Sequence, residues 1–166
     1  MSRGLANCNP GNIRRSSCRY RGEVRPSRDP AFKQFESLAW GYRAMFVTLR
    51  TYARKYGLNT LRGMITRWAP PSENSTEAYI RAVTDRTGLQ PDAVIDIGSK
   101  EQMIPLVAAM SEVENGTRAA FRTIEQGWEL YIGEERGKRK EQRAKSKEQS
   151  QAAEGRLKRK ERAKGC

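Results

Sequence analysis

The chain has 166 residues, no histidine, and 32 Lys/Arg against 19 Asp/Glu, a formal net charge of +13 with a pI near 10.1. That length suits one domain with a proper core plus a tail. The absence of histidine excludes Ser-His and Cys-His nucleophiles and His-ligated metals, so any chemistry must run on carboxylates, Tyr, Lys or backbone groups.

The basic balance predicts attraction to polyanions. No apolar run approaches the ~20 residues of a membrane span, and the N-terminus lacks the apolar core of a signal peptide. The expectation is a protein made in the cytoplasm without a signal peptide, with no membrane span. The cysteines, Cys8, Cys18 and Cys166, are odd in number and lack metal-ligand spacing. They read as free thiols, and no metal or other cofactor is implied.

In chain order, the turn-rich "NCNPGNIRR" opens a region from Ile13 to Phe35 whose short runs, "NIRR", "CRYRGEV" and "FKQF", predict a small antiparallel sheet. Leu38, Tyr42, Met45, Phe46, Leu49, Tyr52 and Tyr56 then share one helix face, with Ser37 as N-cap and Gly57 as stop. Leu61, Met64, Ile65 and Trp68 mark a second helix ended by "APP", and "NSTEAYIRAVTDRTG" a capped third that places Tyr79, Ile80 and Val83 inward. "GSKEQMIPLVAAMSEVENG" starts with a capping box at Ser99 and Gln102 and ends at Gly116, with Pro105 expected to kink it or delay its start. "TRAAFRTIEQGWELYIG" is the last amphipathic helix.

The domain reading is 1–132 for a mainly α, α+β domain with a small N-terminal antiparallel β lobe, and 133–166 for a basic tail, helical or disordered. The tail holds thirteen Lys/Arg and six Asp/Glu, a net of +7, and Leu157 is its only large aliphatic. It cannot bury a core.

The residue pattern that carries chemistry is "LVAAMSEVENG". Glu114 stands at the carbonyl end of an apolar helix, where a carboxyl group meets the negative end of the helix dipole, a setting suited to a general acid. Glu112, two residues earlier, faces elsewhere and is the internal control.

"VAAMSEVENG" resembles the end of the catalytic helix in lysozyme-like peptidoglycan glycosidases, the superfamily that includes lytic transglycosylases and glucosaminidases. "NCNPGNIR" is similar to the Asn-rich turn that begins the β lobe there, matching at Asn7, Asn9, Pro10, Gly11, Asn12, Ile13 and Arg14 and departing at Cys8. The aromatic strand and helix of "FKQFESLAWGYRAMFVTLRTY" and the Trp- and Tyr-bearing run Arg67 to Val83 extend the resemblance over residues 3 to 132. The combined pattern also resembles phage-encoded virion structural proteins. It implies a lysozyme-like domain cleaving the glycan strand of peptidoglycan as muramidase, glucosaminidase or lytic transglycosylase, with Glu114 as the acid. Asn9, Asn12 and Tyr79 are the substrate-positioning candidates, Glu23 and Glu73 the candidates for a second carboxylate, and Trp40 and Trp68 those for stacking on sugar rings.

In the superfamily the glutamate helix precedes the Asn-rich turn, whereas here Glu114 follows it by a hundred residues. Either the domain is circularly permuted, so that Glu114 faces the Asn9 to Arg14 turn across a cleft, or the glutamate helix only imitates the catalytic one. The competing function is a non-enzymatic phage structural protein whose tail binds nucleic acid or another polyanion. "KRK" at 138–140 and at 158–160 supports it, and the tail has no aromatic for base stacking.

Overall fold

The structure, a computed structural model, describes residues 1–164. It divides into two compact units, Met1–Tyr131 and a second starting at Ile132. The described elements are α1 (Arg3–Ala6), β1 (Glu23–Val24), β2 (Gln34–Phe35), α2 (Leu38–Tyr56), α3 (Leu61–Trp68), α4 (Thr76–Thr87), α5 (Lys100–Asn115) and α6 (Phe121–Lys164). None of these helices is long and apolar enough to cross a membrane. The fold is α+β: mostly helical, with one small antiparallel sheet.

Helix α2 forms where the apolar period predicts. The Ser37 hydroxyl accepts from the Trp40 N–H at its start, and Gly57 ends it in the left-handed conformation. Tyr42, Met45, Phe46 and Leu49 are buried, while Tyr56 at the end of the same stripe is exposed. Leu61, Met64 and Ile65 of α3, Tyr79, Ile80 and Val83 of α4, and Met103, Leu106, Val107 and Met110 of α5 complete the core. The first turns of α6 close it through Ile124, Trp128 and Tyr131. The Phe46 ring meets Trp128 edge-on at 5.2 Å between centroids. Gly127 permits that approach: a Cβ there would stand 2.8 Å from Tyr42 Cβ and 2.9 Å from the Ala39 carbonyl.

The sheet is smaller than the three runs predict. Only Glu23–Val24 and Gln34–Phe35 pair as strands, while "NIRR" contributes an isolated bridge between Arg14 and Phe32. Pro26 and Pro30 bring no N–H to a ladder, and the N–H groups of Ala31 and Phe32 turn instead to the Asp29 carboxylate at 2.9 and 3.0 Å.

The capping box at Ser99 does not form. Gln102 accepts from the backbone N–H of Asp96 at 2.8 Å, and the Ser99 hydroxyl donates to Glu101. Helix α5 nonetheless begins at Lys100, so Pro105 does not delay its start. Ser75 precedes α4 without a side-chain cap bond; the neighbouring Thr76 hydroxyl is drawn to the Ala69 carbonyl at 2.6 Å.

In the second unit, from Ile132, α6 remains helical to Lys164 and its side chains from Arg136 to Ala163 are exposed apart from the half-buried Gly155. Cys8 and Cys18 are free thiols, and Cys166 lies outside the described residues.

Candidate active site

The N-terminal turn is built by asparagines. Asn9 is fully buried and spends its whole amide internally: Nδ2 donates to the carbonyls of Ile13 and Lys33, both at 2.9 Å, and Oδ1 accepts from the Ile13 N–H at 2.9 Å. Its role is therefore to close the turn, and it offers no polar atom to a substrate. The turn leaves Asn12 at φ 48°, a conformation that Asn tolerates better than most residues. Ser2 and Asn115 fasten it to the end of α5, with the Ser2 hydroxyl donating to Asn115 Oδ1 at 2.7 Å and Asn115 Nδ2 donating to the Pro10 carbonyl at 2.8 Å.

That fastening sets Glu114 against the turn. Its Oε2 accepts from Asn12 Nδ2 at 3.0 Å; its Oε1 accepts from Trp68 Nε1 at 3.2 Å and from the Tyr79 hydroxyl at 3.1 Å. Three side chains from three separate segments thus converge on one half-buried carboxyl group, and all three donors are neutral. Tyr79 is buried on α4, and burial, followed by the neighbouring Glu114 charge, pushes its phenol well above the ordinary tyrosine range. It keeps its proton and stays a donor.

Glu114 opens onto a groove of about 410 Å³. Its lining includes Asn12, Ile13 and Arg14 of the turn, Trp68 to Pro70, and Tyr52, Arg67, Glu73 and Asn74. Burial raises the Tyr52 phenol to about 12, against the lowering influence of Arg67. Glu73, more than half exposed, pairs with Arg14 at 3.3 Å on the rim.

The other candidates separate cleanly. Trp68 is in the groove, but its indole N–H is committed to Glu114 and its ring packs edge-on to Tyr52 at 6.3 Å. Trp40 lies elsewhere, against Gly22 and near the guanidinium groups of Arg21 and Arg43. Glu23 is also outside the groove. It is buried with Lys33, whose side chain is 1% exposed and whose ammonium reaches Glu23 Oε1 at 3.0 Å and the Cys18 carbonyl at 2.7 Å. Burial alone would raise the Glu23 carboxyl, but hydrogen bonds from Arg25, the Tyr20 N–H and Lys33 bring it below its usual range. It is the counter-ion of a buried lysine, a role invisible in sequence because the partner is ten residues away. Glu112 points away from the groove, bonded to Arg86 at 3.2 Å. Arg14 lies in the groove at the end of the turn expected to face Glu114, whereas Tyr52 and Arg67 as groove residues and Asn115 as the fastener were not singled out in the sequence. Only for Asn115 was there a signal, its place beside Glu114.

No protein-family model matches the chain. It is 39% identical over 132 residues to Protein P5 of Pseudoalteromonas phage PM2, a match covering 77% of this chain and 81% of the relative. The chain belongs to the P5 family. A P5-family member is thereby a relative of a phage protein, in agreement with the phage character read from its motifs.

Proposed function

We propose that this P5-family chain is a virion component that cleaves the glycan strand of peptidoglycan, with Glu114 as general acid. The observation that carries the reading is the carboxyl group of Glu114, held by Asn12, Trp68 and Tyr79 at the wall of an open groove. The phage relative supports the virion setting.

In the proposed reaction the Glu114 carboxyl passes its proton to the bridging glycosidic oxygen as the bond from that oxygen to the anomeric carbon breaks. The leaving sugar keeps the bond's electron pair, and the ring left behind carries the positive charge of an oxocarbenium ion. Either water or a hydroxyl of the same sugar then attacks the anomeric carbon and returns its proton to Glu114. Asn12, Trp68 and Tyr79 hold the carboxyl group while it changes charge, which limits the reorganisation the step requires. Glu73 is the acidic side chain in the same groove that can assist water; internal transfer to a sugar hydroxyl does not need it.

The test is release of soluble fragments from purified peptidoglycan, followed by turbidity and mass spectrometry. The intact chain and Glu112→Gln are expected to release fragments, and Glu114→Gln to be slower by about 10² to 10⁴-fold, the usual worth of a general acid. Fragment ends carrying an internal anhydro ring identify transfer, and reducing ends identify hydrolysis. Equal inertness of all three on several wall types would replace this reading with a non-enzymatic phage component.

A further inference from the structure

The second unit carries a pattern that the groove does not use. At about 100° per residue, Arg136, Arg139, Lys140, Arg143 and Lys147 fall within one face of α6, at helical spacings of three, four, seven and eleven from the first. Glu134, Glu141 and Glu148, seven residues apart, share the opposite face. Glu141 is paired there with Lys145 at 3.0 Å, so the acid closest to the middle of the segment is satisfied away from the stripe. Glu135 borders the stripe at its N-terminal end, and Glu154 and Glu161 on the stripe's own face end it. All five basic side chains are exposed. The stripe extends over about 16 Å of helix axis at ~1.5 Å per residue.

We infer that this face of α6 is a docking surface for double-stranded nucleic acid, bound through its phosphates and without sequence preference. Charge complementarity selects the partner class. A duplex carries one negative charge per ~1.7 Å of axis, denser than a single strand, and single-strand binders rely on aromatic platforms that this segment lacks. Firm seating in a membrane surface draws on an apolar face beside the basic one; here Leu157 is the sole large aliphatic after Gly133, and it lies beyond the stripe. The inference does not rest on the proposed wall cleavage.

The test uses the full chain and a fluorescent random-sequence duplex of about 30 base pairs, titrated at several salt concentrations. One variant carries Arg136→Gln, Arg139→Gln, Lys140→Gln, Arg143→Gln and Lys147→Gln. A second removes the same number of charges from the other side of the helix through Lys138→Gln, Lys145→Gln, Arg156→Gln, Arg159→Gln and Lys160→Gln. The stripe variant is expected to lose more than about 30-fold in affinity at moderate salt, with the slope of log K against log salt shallower by about 3 or more, at ~0.9 per phosphate contact. The opposite-face variant should lose less than about fivefold and keep its slope. Circular dichroism checks that both stay helical, and because binding rests on charge, the charge-preserving set Arg136→Lys, Arg139→Lys and Arg143→Lys should bind within about fivefold of the intact chain. Equal losses in the two glutamine variants would overturn the inference, as would failure of the charge-preserving set, absence of duplex binding by the intact chain, or tighter binding to phosphatidylglycerol vesicles than to the duplex.

Discussion

Asp29 concentrates the polar energetics of the N-terminal lobe. Its carboxylate accepts from Arg3 through two bonds of 2.7 Å, from Asn7 Nδ2 at 2.9 Å, and from the N–H groups of Ala31 and Phe32. The Arg3 guanidinium first, and then the other donors, outweigh burial and hold the carboxyl well below the usual aspartate range. A carboxyl depressed in the folded state binds its proton more readily once the chain unfolds. Its stabilising contribution is therefore complete above the unfolded value of about 4 and is lost as pH falls below it. In Asp29→Asn the melting temperature should drop at neutral pH, and the further drop between about pH 4 and about pH 2.5 should be shallower than in the intact chain. Thermal melts across that range read both. Parallel acid profiles of the two proteins would mean that Asp29 is not tied to Arg3 in solution.

At the level of elements, α2 and the Asn-rich turn touch where only glycine fits. A Cβ on Gly41 would overlap the Cys8 carbonyl oxygen and stand 2.6 Å from the Pro10 ring. Gly41→Ala must push α2 away from the turn that carries Asn12, at an expected cost of about 1–3 kcal/mol. Gly137→Ala, where a Cβ meets nothing within 4 Å, should instead hold or raise stability through helix propensity. Denaturant midpoints of the two variants measure the contrast, and equal midpoints would show that the turn yields without cost. The helices themselves were legible in the sequence because an apolar period, a Ser or Thr start and a glycine stop are local signals: Ser37 and Gly57 bound α2 as read, and Gly88 and Gly116 end α4 and α5 in the left-handed conformation. What depended on contacts distant in sequence was not legible. Ser99 looked like half of a capping box, yet Gln102 is claimed by Asp96. Asn9 looked available to a ligand, yet Ile13 and Lys33 consume its amide. Trp68 looked like a stacking surface, and what distinguishes it is the indole N–H aimed at Glu114. Glu114 itself stood out because the helix-ending run Glu-Asn-Gly is local, while its three donors lie 102, 46 and 35 residues away in sequence.

On the scale of the whole molecule, charge and chemistry are separable. The net charge of +13 is shared between residues 1–132 and the tail, with +7 on the tail. If the chain acts on peptidoglycan as proposed, its charge is expected to serve capture of the anionic sacculus, whereas the cleavage would depend on the neutral-donor cage around Glu114. Attraction between exposed charges fades as the screening length shrinks from about 14 Å at ~0.05 M salt to about 4 Å at ~0.5 M. Binding of Glu114→Gln to sacculi, measured by co-sedimentation, should therefore weaken by at least about tenfold across that range, with cleavage by the variant already slowed by about 10² to 10⁴-fold. The intact chain at sub-saturating wall should lose cleavage rate in proportion, and at saturating wall should keep it. A rate that fell with salt even at saturation would locate the salt sensitivity in the groove itself, where Arg14 pairs with Glu73 on the rim, rather than in the capture step.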